Sequence, residues 1–469
     1  MNAKKLTKIV ATISDRNCEP AFLKELFEAG VNVVRLNTAH QSPEESLKVV
    51  TNVRAVSKTI GILVDTKGPE VRVRGLAEPL ELKTGDTVTI PKVDEMRKGF
   101  NVSYDGFTAE VPIGSRILMD DGAIELAVKN VANGMLLCEV MNDGVLKDRK
   151  NVNVPNIGLK VPSLSDKDRS YLKFVAEHDI DFVAHSFVRN REDVLEVRRI
   201  LDSLGSRAKI IAKIENSQGV TNLPEILDFA DGVMVARGDL GVEIPLERIP
   251  GIQKHIISAC MKKGKPVITA TQMLHTMMEN PRPTRAEVSD VANAVFDGTD
   301  ALMLSGETAQ GKYPLESVRT MAKIALQAES QKPRSDTIES EATGNQVRNY
   351  LARGAAMSAI RLPVKAIIAD TETGRIARLV SSYRSHVPVY AFSPQESTVR
   401  SLSLCFGVFS ELSKSFSSTD QLVSGSLQSL VDRKLIEDNE LVVIIGGTPG
   451  QSDTTNFMEI NTAASCLGR

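Results

Sequence analysis

Eight short apolar runs, each ending in polar residues and most followed by an amphipathic stretch, restrict this chain to few architectures. They cover residues 8–13, 31–36, 61–65, 181–185, 209–212, 232–236, 266–270 and 301–304. Helical periodicity fills intervals such as 19–29, 42–57 and 192–204. Strand–helix alternation on this scale predicts a parallel (β/α)8 TIM barrel, whose apolar, β-branched strands are buried on both faces. Chemistry in such barrels collects at the carboxyl ends of the strands. Here those ends read Arg35-Leu36-Asn37, Asp65-Thr66-Lys67, Ser186-Phe187, Lys213-Ile214-Glu215-Asn216, Arg237-Gly238-Asp239, Thr271-Gln272 and Ser305-Gly306-Glu307. Polar chemistry at all of them is hard to reconcile with a purely structural barrel.

The alternation breaks once, between the third and fourth runs. Residues 68–165 read as short alternating strands near 71–73, 81–82, 87–90, 124–128 and 136–141. Turns fall at Thr84-Gly85-Asp86, Asp121-Gly122, Asn133-Gly134 and Asp143-Gly144. An antiparallel β-barrel lid domain inserted into one loop of the catalytic face is expected, with the barrel itself over 1–67 and 166–340. Ser165-Asp166-Lys167-Asp168 is a capping-type helix start that re-enters the barrel. A polar linker over 331–345 precedes a helix at 346–360, then strand 364–369, helix 374–383 and strands at 388–391 and 441–445. That pattern predicts a C-terminal α/β open-sheet domain over 346–469.

A chain of 469 residues is long enough for several such domains. Its net charge of -2 and sequence pI near 6.4 leave no electrostatic footprint for nucleic acid or an anionic membrane. Aromatic residues are 4% with no Trp, which disfavours a base-stacking surface. No apolar run approaches a membrane helix, and the polar, basic start of the chain does not fit a secretory signal. The five cysteines, Cys18, Cys138, Cys260, Cys405 and Cys466, show neither C-x-x-C spacing nor a disulfide framework, so a cytoplasmic setting is expected.

Residues two apart on a strand face the same way, so Lys213 and Glu215 emerge together, with Asp239 arriving from the next strand. Two carboxylates can hold a divalent metal, and a lysine can stabilise charge moving between oxygens. An ion-paired cluster at a strand end reads the same way in sequence. Asn216 and the glycine-rich stretch Arg237-Gly238-Asp239-Leu240-Gly241 favour a ligand site, because glycines let backbone N–H groups approach an anion. Arg-Gly-Asp also occurs as a cell-adhesion signal, a reading set aside for a cytoplasmic strand end. Arg35 beside Asn37 is a fork for phosphate oxygens, or equally a surface ion pair. Asp65 and Thr66 can ligate a cation, Arg72 adds a second phosphate contact, and Gly68-Pro69 suits a hinge. Thr271 can bond a carboxylate, lie on a proton path, or be a buried threonine satisfied by the backbone. Thr284 and Glu287 form a capping box, so Pro281-Arg282-Pro283-Thr284-Arg285-Ala286-Glu287 is in part a helix start. Thr371-Glu372-Thr373-Gly374-Arg375 opens a helix after a strand, as a phosphate site or as an ordinary turn, and the loop from Gly446 to Asn456 is placed to close over the same ligand. Neither a G-x-x-x-x-G-K-[ST] loop nor the H-R-D and D-F-G elements of protein kinases occur.

Taken together these motifs resemble the pyruvate kinase family, from Lys8 to about Asn456. The matching stretches include Asn32-Val33-Val34-Arg35-Leu36-Asn37, residues 65–72, Ile211-Ala212-Lys213-Ile214-Glu215-Asn216, residues 234–245, 266–274 and 281–293, and Met303-Leu304-Ser305-Gly306-Glu307-Thr308-Ala309. The resemblance implies the bacterial three-domain form without the extra carboxyl-terminal domain some members carry, and a homotetramer. It implies transfer of phosphoryl from phosphoenolpyruvate to ADP, giving ATP and the enolate of pyruvate, in the last step of glycolysis. Glu215 and Asp239 would then hold Mg2+ or Mn2+, Lys213 would stabilise the moving group, and Arg35 and Arg72 would clamp phosphates. The amides of Gly238 and Asp239 with the Thr271 hydroxyl would receive the substrate carboxylate, and Thr271 would lie on the proton route to the enolate. Lys167, Ser186 and Phe187 match positions around the substrate, with Lys167 grouped with Asn37, His40 and Arg72 on the nucleotide side. Thr371, Thr373, Gly374 and Arg375 match the loop that takes the phosphate of an activating sugar phosphate or nucleotide.

One departure stands out. The family reads Asn-Phe-Ser-His or a close variant where this chain reads Asn37-Thr38-Ala39-His40, so a hydroxyl that helps bind a monovalent cation is missing at Ala39. Asn37, Asp65 and Thr66 remain, and Glu70 is the residue of potassium-dependent members, so activation by K+ is expected. A metal-dependent aldolase or lyase would share Glu215 and Asp239 without needing Arg72 or a lid. A non-catalytic effector-binding protein would not need Lys213, Glu215, Asp239 and Thr271 together.

Overall fold

The computed structural model describes residues 4–91, 100–332, 344–414, 418–448 and 454–469. Eight parallel strands close into a barrel: β1 (Lys8–Thr12), β2 (Val33–Asn37), β3 (Gly61–Asp65), β4 (Phe182–His185), β5 (Lys209–Ile214), β6 (Gly232–Ala236), β7 (Val267–Ala270) and β8 (Ala301–Leu304). The ring is completed by β8 pairing with β1, Lys8 opposite Ala301. The expected runs are these strands within two residues at either end. β5 extends further than expected, so Lys213 lies on the strand itself.

Alternation along each strand builds both layers of the barrel. Val10, Val33, Leu63, Ala184 and Ile211 share the interior cluster, while Val34, Val64, Val183 and Ile210 pack against the outer helices. On five strands the next interior position towards the carboxyl end is polar: Thr12, Arg35, Asp65, Ser186 and Lys213. An apolar plug therefore carries a polar layer at the barrel mouth. The helices are started by local chemistry. Ser42, Ser165 and Thr284 each form the reciprocal side-chain and backbone bonds of a capping box with the residue three positions on.

Between β3 and β4 lies the antiparallel lid. Its five-stranded sheet runs, in spatial order, Val152–Asn153, Arg116–Met119, Ile124–Ala132, Met135–Val140 and Thr87–Ile90. Two ribbons join it, Leu80–Leu82 with Gly144–Leu146 and Val73–Arg74 with Asn101–Val102, over a core that includes Phe100, Phe107, Leu126 and Leu136. Among the described residues the lid's ladders fall into one five-stranded sheet and two ribbons. The turns at Gly85, Gly122 and Gly134 are as expected, with φ of 87°, 85° and 74°. Asp143-Gly144 is not a free turn. Gly144 pairs with Leu82, and Asp143 accepts the Thr84 amide at 2.9 Å. The strand expected at 71–73 is displaced to Val73–Arg74, because Arg72 makes only an isolated bridge with Asn151.

The carboxyl-terminal sheet runs in the order Val408–Leu412, Val389–Ser393, Val364–Asp370, Leu441–Gly446, Phe457–Thr462, with only the last strand antiparallel. Its first and last strands were not among the expected runs. Most of the expected polar linker, residues 333–343, lies outside the described residues. No helix of the described residues is long and apolar enough to cross a membrane.

This domain closes the amino-terminal end of the barrel. Leu404 enters the interior cluster alongside Leu63 and Phe182. Gly61, at the start of β3, permits the approach, since a Cβ there would overlap Ser403 and Phe182. Two aspartates immediately before barrel strands take the arginines of the other domain. Asp181 accepts from Arg400 Nε at 2.6 Å and from Arg54 Nη2 at 2.7 Å. Asp300 accepts from Arg384 Nη2 at 2.5 Å, with the amides of Val267 and Phe406 at 3.1 and 2.9 Å.

Breaking such a buried pair from one side strands a charge, at a cost of about 3–5 kcal/mol. Arg384→Met is expected to lower the urea midpoint of unfolding accordingly, and a midpoint equal to the parent's would refute the junction as a source of stability.

His185, on the helix side of β4, is fully buried and neither ring nitrogen has a protein partner. Burial pushes its pKa down from 6.5 to about 4, against the pull of the Asp193, Asp168 and Glu196 carboxylates, with Lys213 adding to the depression. As pH falls, the unfolded chain therefore takes up this proton first. The stability tied to neutral His185 is complete above pH 6.5 and is lost between 6.5 and about 4, roughly 3 kcal/mol in all. A His185→Leu variant should show a shallower acid-side loss of stability over that range, measured by denaturant unfolding at several pH values. An unchanged slope would contradict this account.

Candidate functional site

The polar layer at the barrel mouth is an ionic cluster. Arg35 donates from Nε to Asp65 Oδ2 at 2.6 Å and from Nη1 to the Thr12 hydroxyl at 2.9 Å. Lys213 Nζ lies 3.0 Å from Asp65 Oδ1, 2.9 Å from Glu215 Oε1 and 2.7 Å from Ser186 Oγ. β2 and β3 bring Asn37 opposite Asp65. Ser186 is held in turn by Thr66, its amide donating to the threonine Oγ1 at 3.1 Å and its hydroxyl to the carbonyl at 2.6 Å. Glu215 also accepts the Phe187 amide at 2.6 Å, and Phe187 adopts a φ of 54° there.

Charge is distributed unevenly across this cluster. Burial works against the charge on Lys213, but the Asp65 and Glu215 carboxylates outweigh it and hold the pKa above the ordinary lysine range. Asp65 is likewise buried, yet Lys213 and Arg35 keep it below the usual carboxylate range. Glu215 goes the other way. Burial pushes it up to about 7, opposed by Lys213 and reinforced by the nearby Asp239 charge. Asp239 is raised as well, through burial first, against the pull of the Lys213 ammonium. Two adjacent acids short of positive charge are the environment a divalent cation relieves.

Among the described residues no three His, Cys, Asp or Glu side chains converge as a metal group. Glu215 and Asp239 are the two carboxylates a divalent ion would meet here, and such ions commonly keep several water ligands. The donors fit. For a monovalent cation, Asp65 Oδ1 is a buried carboxylate oxygen whose ion-pair partner, Lys213 Nζ, lies at 3.0 Å. Asn37 Oδ1 accepts only the Ala39 amide, at 3.2 Å. These all-oxygen donors fit such an ion, with no hydroxyl from Ala39.

Thr271 and Gly238 meet at the ends of β7 and β6. The Gly238 amide donates to Thr271 Oγ1 at 2.9 Å, and that hydroxyl donates to the Ala270 carbonyl at 2.6 Å. Thr271 has a φ of 70°, a left-handed conformation that costs a β-branched residue on the order of 1–3 kcal/mol. The other expected residues sit farther out. Arg72, on the lid, bonds both Glu70 and the Arg149 carbonyl, the latter at 2.7 Å. His40 and Lys167 are exposed in the segments after β2 and at the helix re-entering the barrel. The cleft between lid and barrel is lined by Glu70, Asn153, Phe187, Asn216, Asp239 and Glu243. Thr371, Thr373, Gly374 and Arg375 lie in the carboxyl-terminal domain, where the Thr371 hydroxyl accepts the Gly374 amide at 2.9 Å before helix Arg375–Ser382. Of the loop expected to cover them, residues 449–453 lie outside the described residues.

Glu243, in the cleft, and Asp290, behind the end of β7, carried no role in the sequence reading. Glu243 follows Asp239 by one helical turn, accepts the Ser217 amide at 3.2 Å, and is pushed up to about 7 by burial. Asp290, far along the chain from Arg237, takes both of its terminal nitrogens at 2.7 Å. The i,i+4 spacing from Asp239 was a legible signal for Glu243; Asp290 had none.

A model of the pyruvate kinase barrel domain matches residues 4–318, and a model of the pyruvate kinase α/β domain matches residues 349–461. The chain is 48% identical to the pyruvate kinase of Borreliella burgdorferi, over 99% of this chain and 98% of that one. It is 45% identical to the enzyme of Sporosarcina psychrophila, over 99% of this chain and 81% of the relative. The crystal structure of a pyruvate kinase from Cryptosporidium parvum superposes with a TM-score of 0.92 at 36% identity, covering 98% and 96% of the two chains. Agreement of this extent in both domains leaves one assignment: the chain belongs to the pyruvate kinase family.

Proposed function

We propose that this chain transfers the phosphoryl group of phosphoenolpyruvate to ADP, yielding ATP and pyruvate as the last step of glycolysis. The observation that carries this reading is Lys213, buried and protonated between Asp65 and Glu215 with Asp239 beside them. We assign residues 1–67 and 166–340 to the catalytic barrel, 68–165 to the lid and 346–469 to a regulatory domain.

In this reading the P–O bond to the enol oxygen breaks as a bond to the terminal ADP oxygen forms, and the enolate then takes a proton at its methylene carbon. The Lys213 ammonium, kept charged by its two carboxylates, is placed to stabilise the phosphoryl group in flight. Arg35 binds phosphate oxygens from the same layer, and Ser186 orients Lys213 on the substrate side. Glu215 and Asp239 would hold a divalent ion, Mg2+ or Mn2+, which would supply charge neutralisation for the anionic substrates. The Gly238 and Asp239 amides and the Thr271 hydroxyl receive the substrate carboxylate. That anion displaces the bond now made between Gly238 and Thr271, and Thr271 then lies on the proton route. Asn37, His40, Arg72 and Lys167 are assigned to the nucleotide, whose phosphates compete with Glu70 for Arg72. Lid closure excludes water from the transfer.

K+ is assigned to Asn37, Asp65 and Thr66. The segment Thr371-Glu372-Thr373-Gly374-Arg375 is assigned to a sugar-phosphate or nucleotide effector, supported by its place before a helix amino terminus. A homotetramer in the cytoplasm completes the reading, supported for the compartment by cysteines that form no disulfide.

With phosphoenolpyruvate, ADP and Mg2+, a coupled assay should register ATP and pyruvate together. Lys213→Met should cut turnover by about a thousandfold or more, while Mn2+ titrated by electron paramagnetic resonance still binds; near-normal turnover would remove Lys213 from this role. Exchanging K+ for a large organic cation should lower turnover, whereas equal rates in both salts would rule out the monovalent site.

A further inference from the structure

Arg237 opens the Arg-Gly-Asp triplet at the end of β6, where an arginine invites assignment to substrate phosphate. The structure commits it elsewhere. Its Nε donates to the Ala270 carbonyl at 3.2 Å, and Nη2 donates to the Thr271 carbonyl at 2.7 Å. Asp290, on helix Arg285–Asp297, takes Nη1 on Oδ1 and Nη2 on Oδ2, each at 2.7 Å, and Gln253 Oε1 lies 3.3 Å from Nη1. A guanidinium has five N–H groups. With both faces of this fork occupied, Arg237 has none to spare for an anion.

What the fork holds is unusual backbone. Thr271 and Gln272, neither a glycine, are both left-handed, with φ of 70° and 53°. Such conformations persist where the surroundings over-determine them. The two carbonyls gripped by Arg237 are those of Ala270 and Thr271, one on each side of the strained Thr271 φ and ψ. The next residue, Gly238, completes the arrangement from the same loop by donating its amide to the Thr271 hydroxyl at 2.9 Å. Asp290 supplies the counter-charge from a third element, the helix whose start is the Pro281 to Glu287 motif.

We propose that Arg237 and Asp290 form a positioning pair that holds the end of β7 left-handed, so that the Thr271 hydroxyl and the Gly238 amide stay registered on one point of the substrate. Neither residue touches substrate; both act through Thr271. The inference rests on the assignment of Thr271 to carboxylate binding and proton delivery. It predicts that damage to the pair falls on the protonation half of the reaction. A misplacement near 1 Å in such a constellation costs on the order of a hundredfold in rate.

The half-reaction can be followed alone by nuclear magnetic resonance. In D2O with the divalent metal bound, pyruvate loses a methyl proton to solvent and the enolate takes back a deuteron, with no net redox change. The panel is Asp290→Asn, Arg237→Lys and Thr271→Ala, each also titrated with Mn2+ and melted. Asp290→Asn and Arg237→Lys should slow exchange about 10- to 100-fold, in step with their loss of kcat and with Thr271→Ala. For Asp290→Asn, Mn2+ affinity, melting temperature and the KM for ADP should stay within about twofold or a few degrees of the parent. If Thr271→Ala slows exchange while Asp290→Asn and Arg237→Lys do not, the pair is not a positioning device. If Thr271→Ala exchanges at the parental rate, the assignment of Thr271 itself fails and the inference fails with it.

Discussion

A lysine ammonium cannot be buried at a barrel mouth unless its charge is matched there, and much of this structure follows from how Lys213 is matched. Taking an ion out of water costs several kcal/mol even after relaxation. Asp65 and Glu215, each 1% exposed, bring oxygens to 3.0 and 2.9 Å and offset that cost. Their charge then needs its own arrangement. Asp65 is shared with Arg35, and Glu215 is left beside Asp239 with too little positive charge, a demand a divalent cation meets. The raised pKa values of Glu215 and Asp239 are thus the remainder of an electrostatic arrangement that begins with a buried lysine.

That arrangement is possible because of what lies beneath it. The interior rows of the barrel are apolar for most of their length and turn polar at the last inward position, as in Leu63 then Asp65 and Ile211 then Lys213. The plug keeps water from entering beneath the charges and fixes the strands that carry them. At the opposite end, Leu404 closes the barrel and Asp181 and Asp300 join its strand starts to Arg400 and Arg384. β4 therefore begins at an interdomain ion pair and ends at Ser186, the hydroxyl on Lys213. The carboxyl-terminal domain and the site share the same short strands.

Much of this was readable residue by residue. The eight runs marked the strands because burial on both faces demands unbroken apolar sequence; Lys213 and Glu215 could be placed from a period of two, and Arg35 and Asp65 from their position at strand ends. Ser165 and Thr284 announced helices because a capping box is a contact three residues long. Asp143-Gly144 was less legible. Its dipeptide suits a turn, yet pairing with Leu82 claimed the glycine for a strand. The strand Val408–Leu412 also escaped notice; it is an edge strand whose ladder partner, Val389–Ser393, is supplied by the fold.

The amino-acid order was sufficient for most element types and for the shared face of Lys213 and Glu215, because each depends on neighbours within a few positions. Folding in three dimensions was needed for everything set by distant partners. It pairs Arg237 with Asp290, 53 residues away, and thereby holds Thr271 in a conformation no local preference supports. It also splits three like carboxylates into one held below its usual range and two raised, Asp65 against Glu215 and Asp239. Burial and the spacing of charges across strands determine those states, and neither is a property of a linear chain.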